Sequence, residues 1–184
     1  MSKKVLLLHG WGGSDFPHWQ SWLAGEIAKE YGHVKFLRFS DVDAPILGVW
    51  LKELEETLFA FEPDIVICHS LANTLWFHLC QTNATTLESQ RIEKLYLVAP
   101  PSMECKVPEL AEFFPVEPPK NLYAKETLLI TSTNDPYMSV QEADILQKDL
   151  NVSMKMLQNA GHINSDSGFG EWEWMLEEVR KDLN

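Results

Sequence analysis

The chain has 184 residues, of which 45% are hydrophobic and 23% are charged, and its formal net charge is −12. These proportions are ordinary for a globular protein, and the length fits one domain over residues 1–184. Clustered lysine and arginine side chains neutralise phosphates, so a balance this acidic argues against binding to nucleic acid or to an anionic membrane surface.

The start of the chain and the cysteines bear on where the protein resides. Only four apolar residues, Val5 to Leu8, follow Lys3 and Lys4, which is too short for the core of a signal peptide. No apolar run approaches the ~20 residues that cross a membrane. Three cysteines without a C-x-x-C pair suit a reducing compartment, so we expect a cytoplasmic protein. The histidines and cysteines lack zinc-ligand spacing, and we expect no metal or organic cofactor.

The first predicted strand is Val5 to Leu8, an apolar run closed by the turn His9-Gly10-Trp11-Gly12-Gly13. A glycine-rich turn after a strand can aim backbone N–H groups into a site, as one loop of an oxyanion hole does. The alternative is a phosphate-binding loop. Asp15 stands where the third glycine of G-x-G-x-x-G belongs, and the chain has no G-K-[ST], which argues against nucleotide binding.

Apolar residues at helical spacing predict three helices with one buried face each. The first face has Trp19, Trp22, Leu23 and Ile27; the second, after Pro45, has Leu47, Trp50, Leu51, Leu54 and Leu58; the last has Trp172, Met175, Leu176, Val179 and Leu183. Such faces are typical of core contacts. Trp19 is the exception that we place at the substrate pocket, because it lies near the glycine-rich turn.

The most informative segment is Val66-Ile67-Cys68-His69-Ser70-Leu71-Ala72. An apolar strand pattern ends in a serine, and residues 71–80 predict a central buried helix directly after it. This is the layout of a nucleophile elbow, with Cys68 and Ala72 where glycines are usual. The alternative is that Ser70 only caps the helix. Cysteine and alanine are small enough for the elbow, so we expect Cys68 to be a buried packing residue.

Six prolines interrupt residues 99–127 and predict an irregular connection. Phe113, Phe114 and Val116 in this connection either line a pocket or fix the loop to the core. The connection is short and leaves little chain for a lid over the site.

Two later strand patterns end beside an acid and a histidine. The first, from Thr127, stops at Asp135-Pro136, since a proline disfavours helix at the residue before it. The second, over residues 152–157, is followed by Gly161-His162. A carboxylate at a strand end can orient an imidazole. The alternatives are a solvated turn aspartate and a surface histidine. The competing acids are Asp144, Asp149 and Asp166.

Ser70, Asp135 and His162 occur in the chain order of an α/β-hydrolase triad, each just past a predicted strand. Sites in doubly wound sheets form outside the carboxyl ends of strands. On these residues the chain resembles the compact YdeN-type serine hydrolases, the family that includes the retinoblastoma-binding serine hydrolase. The resemblance also covers His9-Gly10, Trp19-Gln20-Ser21-Trp22-Leu23, Val98-Ala99-Pro100-Pro101, Asn134-Asp135-Pro136, Gly161-His162-Ile163 and Ser167-Gly168-Phe169-Gly170-Glu171-Trp172.

The resemblance implies that Ser70, Asp135 and His162 are the catalytic triad, because they match the family's triad positions one by one. Two residues depart from the family pattern. Cys68 replaces the glycine before the nucleophile and bears on activity, whereas Glu173 replaces a proline that often follows the late tryptophan and bears on the start of a helix.

We therefore predict a minimal single-domain α/β-hydrolase with a mainly parallel sheet and helices on both faces. The expected activity is hydrolysis of small acyl esters through an acyl-enzyme, with a small-molecule substrate. Peptidase and thioesterase activities are alternatives within the same chemistry. The alternative outside it is a non-catalytic protein-interaction module, although the chain lacks an L-x-C-x-E motif for such a partner. The backbone N–H groups of Trp11 and Leu71 are the predicted oxyanion hole, and the predicted pocket residues are Gly10, Trp19, Phe113 and Phe114.

Overall fold

The computed structural model describes residues 3–30, 32–90 and 92–183, and within these ranges six strands form one sheet. The strands are β1 (Val5–Leu8), β2 (Val34–Leu37), β3 (Ile65–His69), β4 (Lys94–Val98), β5 (Glu126–Ser132) and β6 (Ser153–Leu157). Their order across the sheet is β2-β1-β3-β4-β5-β6. Each neighbouring pair is parallel, which confirms the predicted parallel sheet.

An α-helix follows every strand except β4. The helices are α1 (Trp19–Glu30), α2 (Leu47–Phe61), α3 (Leu71–Thr82), α4 (Ala84–Glu88), α5 (Val140–Leu150) and α6 (Glu173–Leu183). Two short 3₁₀ turns, Pro108–Leu110 and Ser165–Ser167, lie in the loops. None of the helices in the described ranges is long and apolar enough to cross a membrane.

The sheet separates two hydrophobic cores, because successive side chains of a strand point to opposite faces. Along β3, Val66 and Cys68 belong to the core under α2, α3 and α5. Ile65 and Ile67 belong to the core under α1 and α6. Both faces are covered, and for this reason the central strands are apolar without alternation. The predicted helices on both faces are confirmed.

Helix α3 is the most buried helix of the fold, as its uniformly apolar sequence predicts. Nine of its residues are buried: Leu71, Ala72, Asn73, Thr74, Leu75, Trp76, Phe77, Leu79 and Cys80. It begins directly after β3, so Ser70 lies at the junction between a buried strand and a buried helix.

The connection over residues 99–125 is irregular apart from the turn at Pro108–Leu110. Phe113 and Phe114, which the sequence predicts as pocket residues, both pack in the core of the fold. Phe113 is fully buried with its ring centroid 5.7 Å from that of Trp50, and Phe114 is buried in the same core. Their apolar rings fix the proline-rich loop to the core, which is the alternative that the sequence allowed.

The strand order sets where a site can form. From β1 the chain continues to β2 on one side, whereas from β3 it continues to β4 on the other. The carboxyl ends of β1 and β3 therefore flank the crevice at which doubly wound folds bind their ligands. The glycine-rich turn follows β1, and Ser70 follows β3.

Candidate active site

Ser70 occupies a strained turn between β3 and α3. Its backbone has φ 54° and ψ −123°, a conformation that non-glycine residues rarely adopt and that costs about 1–3 kcal/mol. Its side chain makes no cap hydrogen bond to the helix, so the alternative of a simple helix cap is wrong. The turn instead directs Ser70 Oγ to His162, with 2.8 Å between Oγ and Nε2.

Backbone and side-chain hydrogen bonds hold this turn in place. Ser70 N–H donates to the carbonyl of Val98 at 3.0 Å. The side-chain amide of Asn73 donates to the carbonyls of Ser70 and Val98, at 2.8 and 2.9 Å. Asn73 thus ties the first turn of α3 to both neighbouring strand ends. The sequence analysis missed it, although a buried asparagine in an otherwise apolar helix is a usable signal.

Asp135 holds the other side of the His162 ring. Its two carboxylate oxygens lie 3.0 and 2.9 Å from His162 Nδ1. Only 3% of the Asp135 side chain and 9% of the His162 side chain are exposed. Asp135 Oδ1 also accepts the N–H of Tyr137 at 2.9 Å, which fixes the carboxylate. The solvated-turn and surface-histidine alternatives are therefore wrong.

The loop that carries His162 is tied to the turn that carries Asp135. Asn134 Oδ1 accepts the N–H of Gly161 at 2.8 Å and the hydroxyl of Ser132 at 2.9 Å. Ser132 Oγ in turn accepts the N–H of Ala160 at 3.0 Å. Because these bonds join the ends of β5 and β6, the acid and the histidine keep a fixed separation.

Trp19 supports the His162 loop from behind and does not line the pocket, so that prediction is wrong. Its side chain is fully buried, and its indole Nε1–H donates to the carbonyl of Ile163 at 2.8 Å. Its ring packs edge-on against those of His69 and Trp172. As the first residue of α1 it faces the sheet, like the rest of the apolar face of that helix.

Gly10 lies directly against the serine. A Cβ at position 10 would be 2.7 Å from Ser70 Cβ, closer than real Cβ contacts allow, and 3.1 Å from Leu71 N, which is tighter than most such contacts. The missing side chain lets the glycine-rich turn approach the elbow.

The backbone N–H groups of Trp11 and Leu71 flank the serine. Neither donates a hydrogen bond to another residue of the described chain, and both residues border a cavity that Ser70 also lines. His9 holds the turn from the other side: its Nδ1–H donates to the Gly10 carbonyl at 2.7 Å, and its Nε2 accepts the N–H of Phe39 at 3.0 Å.

Two cavities meet at Ser70 and His162. The histidine cavity has a volume of about 240 Å³, and its walls include Gly12, Gly13, His18, His69, Asn164 and Asp166. The aliphatic cavity has a volume of about 120 Å³, and its walls include Leu71, Pro101, Cys105, Val107 and Leu110. Trp11 and Asn164 border both cavities. The residues of the proline-rich connection that reach the site are thus those before Phe113.

His18 and His69 are site residues that sequence reasoning missed. Burial, followed by the nearby His162 and His9, lowers the pKa of His18 to about 4. Burial, with His18 and His162 adding to it, also holds the pKa of His69 well below its ordinary value. Both rings are therefore neutral at pH 7. His69 Nε2–H donates to the carbonyl of His162 at 3.1 Å, which supports the loop that carries His162.

Cys68 is fully buried on β3, two residues before the serine. Burial, with Cys80 nearby, raises the pKa of its thiol well above the ordinary value, so the thiolate that would be reactive is disfavoured. This confirms Cys68 as a packing residue. No cluster of three or more histidine, cysteine or acidic side chains in the described ranges is arranged to hold a metal ion.

Solved structures with the same fold include proteins that are described as a hydrolase and as an esterase. A protein described as a YdeN-like hydrolase from Pectobacterium atrosepticum is 25% identical, with a TM-score of 0.77 over 97% of this chain and 89% of its own. The ydeN gene product of Bacillus subtilis is 20% identical, with a TM-score of 0.81 over 98% of each chain. The esterase domain of a Rhodothermus marinus protein is 14% identical, with a TM-score of 0.63 over 96% of this chain and 84% of its own.

Sequence identities of 20% and 14% show only that these two proteins share the fold of this chain. That fold is the α/β-hydrolase fold. No curated protein sequence matches the chain. The profile of the serine hydrolase family matches residues 5–181, so the chain belongs to the serine hydrolase family.

Proposed function

We propose that this protein hydrolyses small acyl esters through a Ser70–His162–Asp135 triad and an acyl-enzyme. The observation that carries the proposal is the continuous hydrogen-bonded chain from Ser70 Oγ through His162 to Asp135. Serine is a poor nucleophile until an adjacent base takes its proton, and this contact supplies the base.

The first half of the reaction follows from that geometry. His162 Nε2 takes the proton of Ser70 as Oγ attacks the ester carbonyl carbon. Asp135 accepts the Nδ1–H, which leaves Nε2 as the basic nitrogen and stabilises the imidazolium. The N–H groups of Trp11 and Leu71 stabilise the oxyanion, a contribution of about 3–4 kcal/mol per donor in other enzymes.

The second half regenerates the serine. His162 gives its proton to the leaving alkoxide as the carbon–oxygen bond breaks, and the acyl group stays on Ser70. A water molecule then attacks the acyl carbon while His162 takes its proton, and the acid leaves as Ser70 Oγ is reprotonated. The esterase among the structural neighbours supports an ester as the substrate.

Fluorophosphonate labelling tests the proposal. The wild-type protein should be labelled at Ser70. Ser70→Ala should not be labelled, and its kcat for p-nitrophenyl acetate should fall by about a million-fold. Ser153→Ala is the matched control, because Ser153 is exposed at the start of β6, and it should behave like the wild type. Labelling of Ser70→Ala at the wild-type rate would exclude Ser70 as nucleophile. An unreactive wild type would favour the interaction module.

A further inference from the structure

The histidine cavity contains a hydrogen-bond donor that the proposed reaction does not use. His18 is buried, with 5% of its surface exposed, and lines this cavity. Its Nδ1 accepts the N–H of Gln20 at 3.1 Å, at the start of α1. A neutral imidazole whose Nδ1 is an acceptor carries its proton on Nε2. No described residue accepts a hydrogen bond from that Nε2–H.

The charge of the cavity selects the kind of group that can pair with this donor. His18 is neutral at pH 7. No lysine or arginine lines the cavity, and the carboxylate of Asp166 stands exposed at its wall. An anionic ligand would therefore meet a negative charge without a cation to balance it. A cationic ammonium has no lone pair for an N–H donor. An uncharged oxygen satisfies the donor at the least electrostatic cost.

The position of the cavity places such an oxygen close to the reacting bond. The His18 and His69 rings are 4.9 Å apart between centroids, and the His69 and His162 rings are 5.4 Å apart. Ser70 and His162 form part of the same cavity wall. A group held by His18 therefore belongs to the part of the substrate that adjoins the scissile ester.

We propose that the histidine cavity binds an uncharged, hydrogen-bond-accepting oxygen of the substrate, such as an ether, hydroxyl or second carbonyl oxygen, through His18 Nε2–H. This assignment rests on the ester hydrolysis proposed above. The preferred substrate class is then an ester with a further oxygen in its acyl or alcohol part, and not one in which both parts are hydrocarbon.

Isosteric esters test this assignment. On the acyl side, p-nitrophenyl methoxyacetate replaces one CH₂ of p-nitrophenyl butyrate by oxygen. On the alcohol side, 2-methoxyethyl butyrate does the same to butyl butyrate. Each kcat/KM is divided by the rate constant of hydroxide hydrolysis, which removes the intrinsic reactivity of the ester. In at least one of the two pairs, the corrected kcat/KM of the oxygen-containing ester should then exceed that of its hydrocarbon counterpart by about threefold to tenfold, the effect of one neutral hydrogen bond.

Two substitutions of His18 separate its two nitrogens. In His18→Asn the side-chain oxygen can still accept Gln20 N–H, but the side chain is too short to replace Nε2–H, so the preference for oxygen should vanish. In His18→Gln the amide reaches the place of Nε2–H, so the preference should persist. Thermal unfolding of both variants shows that they are folded.

The outcomes distinguish this inference from the function on which it rests. Equal corrected rates in both ester pairs, with hydrolysis intact, overturn the assignment of the cavity alone. A preference that survives unchanged in His18→Asn overturns the role of His18. Absence of hydrolysis of all four esters, together with absence of fluorophosphonate labelling, overturns the hydrolase function and this assignment with it.

Discussion

At the scale of single residues, the carboxylate of Asp135 contacts one nitrogen of His162, Nδ1, and Ser70 contacts the other. Both oxygens lie at hydrogen-bond distance from Nδ1, and the side chain is almost completely shielded from water. Asp166, although it follows His162 closely in sequence, is exposed at the wall of the histidine cavity. The two acids can therefore be told apart by substitution.

Asp135→Asn should lower kcat for p-nitrophenyl acetate by about ten-thousand-fold, because an amide favours the wrong imidazole tautomer. Asp166→Asn should keep most of the wild-type activity and serves as the control. Steady-state kinetics on both variants checks this expectation. A near-normal Asp135→Asn beside an inactive Asp166→Asn would show that the orienting acid is misassigned.

The sequence predicted the three residues of the hydrogen-bonded chain because each directly follows a strand signal. It failed for Trp19, since nearness to a loop along the chain does not say which way a side chain on the next helix points. It also missed His18 and His69. Their place in the site depends on packing between the start of α1 and the His162 loop, which no local pattern reports.

At the scale of elements, the contact between the glycine-rich turn and the elbow should not tolerate a side chain. Gly10→Ala would bring a Cβ within 2.7 Å of Ser70 Cβ and should lower kcat/KM by at least about tenfold, since small shifts of reacting groups are costly. Gly25→Ala on the exposed face of α1 meets no atom within 4 Å. It should leave kinetics unchanged and stabilise the fold by about 0.5–1 kcal/mol.

These two glycine variants are compared by ester kinetics and by denaturant unfolding. Equal activity in Gly10→Ala and the wild type would mean that the turn can move away from the elbow without disturbing Ser70.

The proline-rich connection forms part of the wall of a small cavity beside Ser70. The aliphatic cavity that it walls is about 120 Å³, well below the roughly 300–1,000 Å³ typical of sites for drug-sized ligands. We therefore expect kcat/KM of p-nitrophenyl esters to be highest for short acyl chains and to fall as the chain lengthens. A steady rise from acetate to long-chain esters would contradict this.

Elements with strong apolar patterns were predictable from the sequence, and elements with weak apolar patterns were not. The uninterrupted apolar runs of β1 and β3 and the apolar face of α2 match the predicted positions. The four-residue strand β2 contains a lysine, and α4 has only five residues, so neither presents an apolar pattern long enough to identify it. Such elements form because neighbouring structure supports them.

At the scale of the whole molecule, the buried histidines should make stability depend on pH. In an unfolded chain a histidine has a pKa near 6.5, whereas burial lowers that of His18 to about 4 and also lowers those of His9 and His69. As pH falls below 6.5 the unfolded chain binds protons that the folded protein does not, so the free energy of unfolding decreases until the folded pKa is reached.

For His18 alone this decrease amounts to about 2 kcal/mol between pH 7 and pH 5. Urea unfolding of the wild type and of His18→Asn at both pH values measures it. The wild type should lose about 2 kcal/mol more than the variant over this interval. His33→Asn, at an exposed position, is the control that should follow the wild type. If the wild type and His18→Asn lost the same free energy of unfolding, His18 would take up its proton equally in the folded and the unfolded state.

The open sheet has two edge strands, β2 and β6, whose outer N–H and C=O groups lack a neighbouring strand. Such edges are templates for a strand from another molecule. Each edge strand here carries one lysine, Lys35 on β2 and Lys155 on β6, and Lys155 Nζ lies 4.6 Å from the Trp174 ring centroid. Charged side chains on edge strands disfavour edge-to-edge pairing, and the net charge of −12 adds repulsion between copies. The same parallel sheet that brings Ser70, Asp135 and His162 together at one end is therefore expected to resist pairing with other copies along its sides.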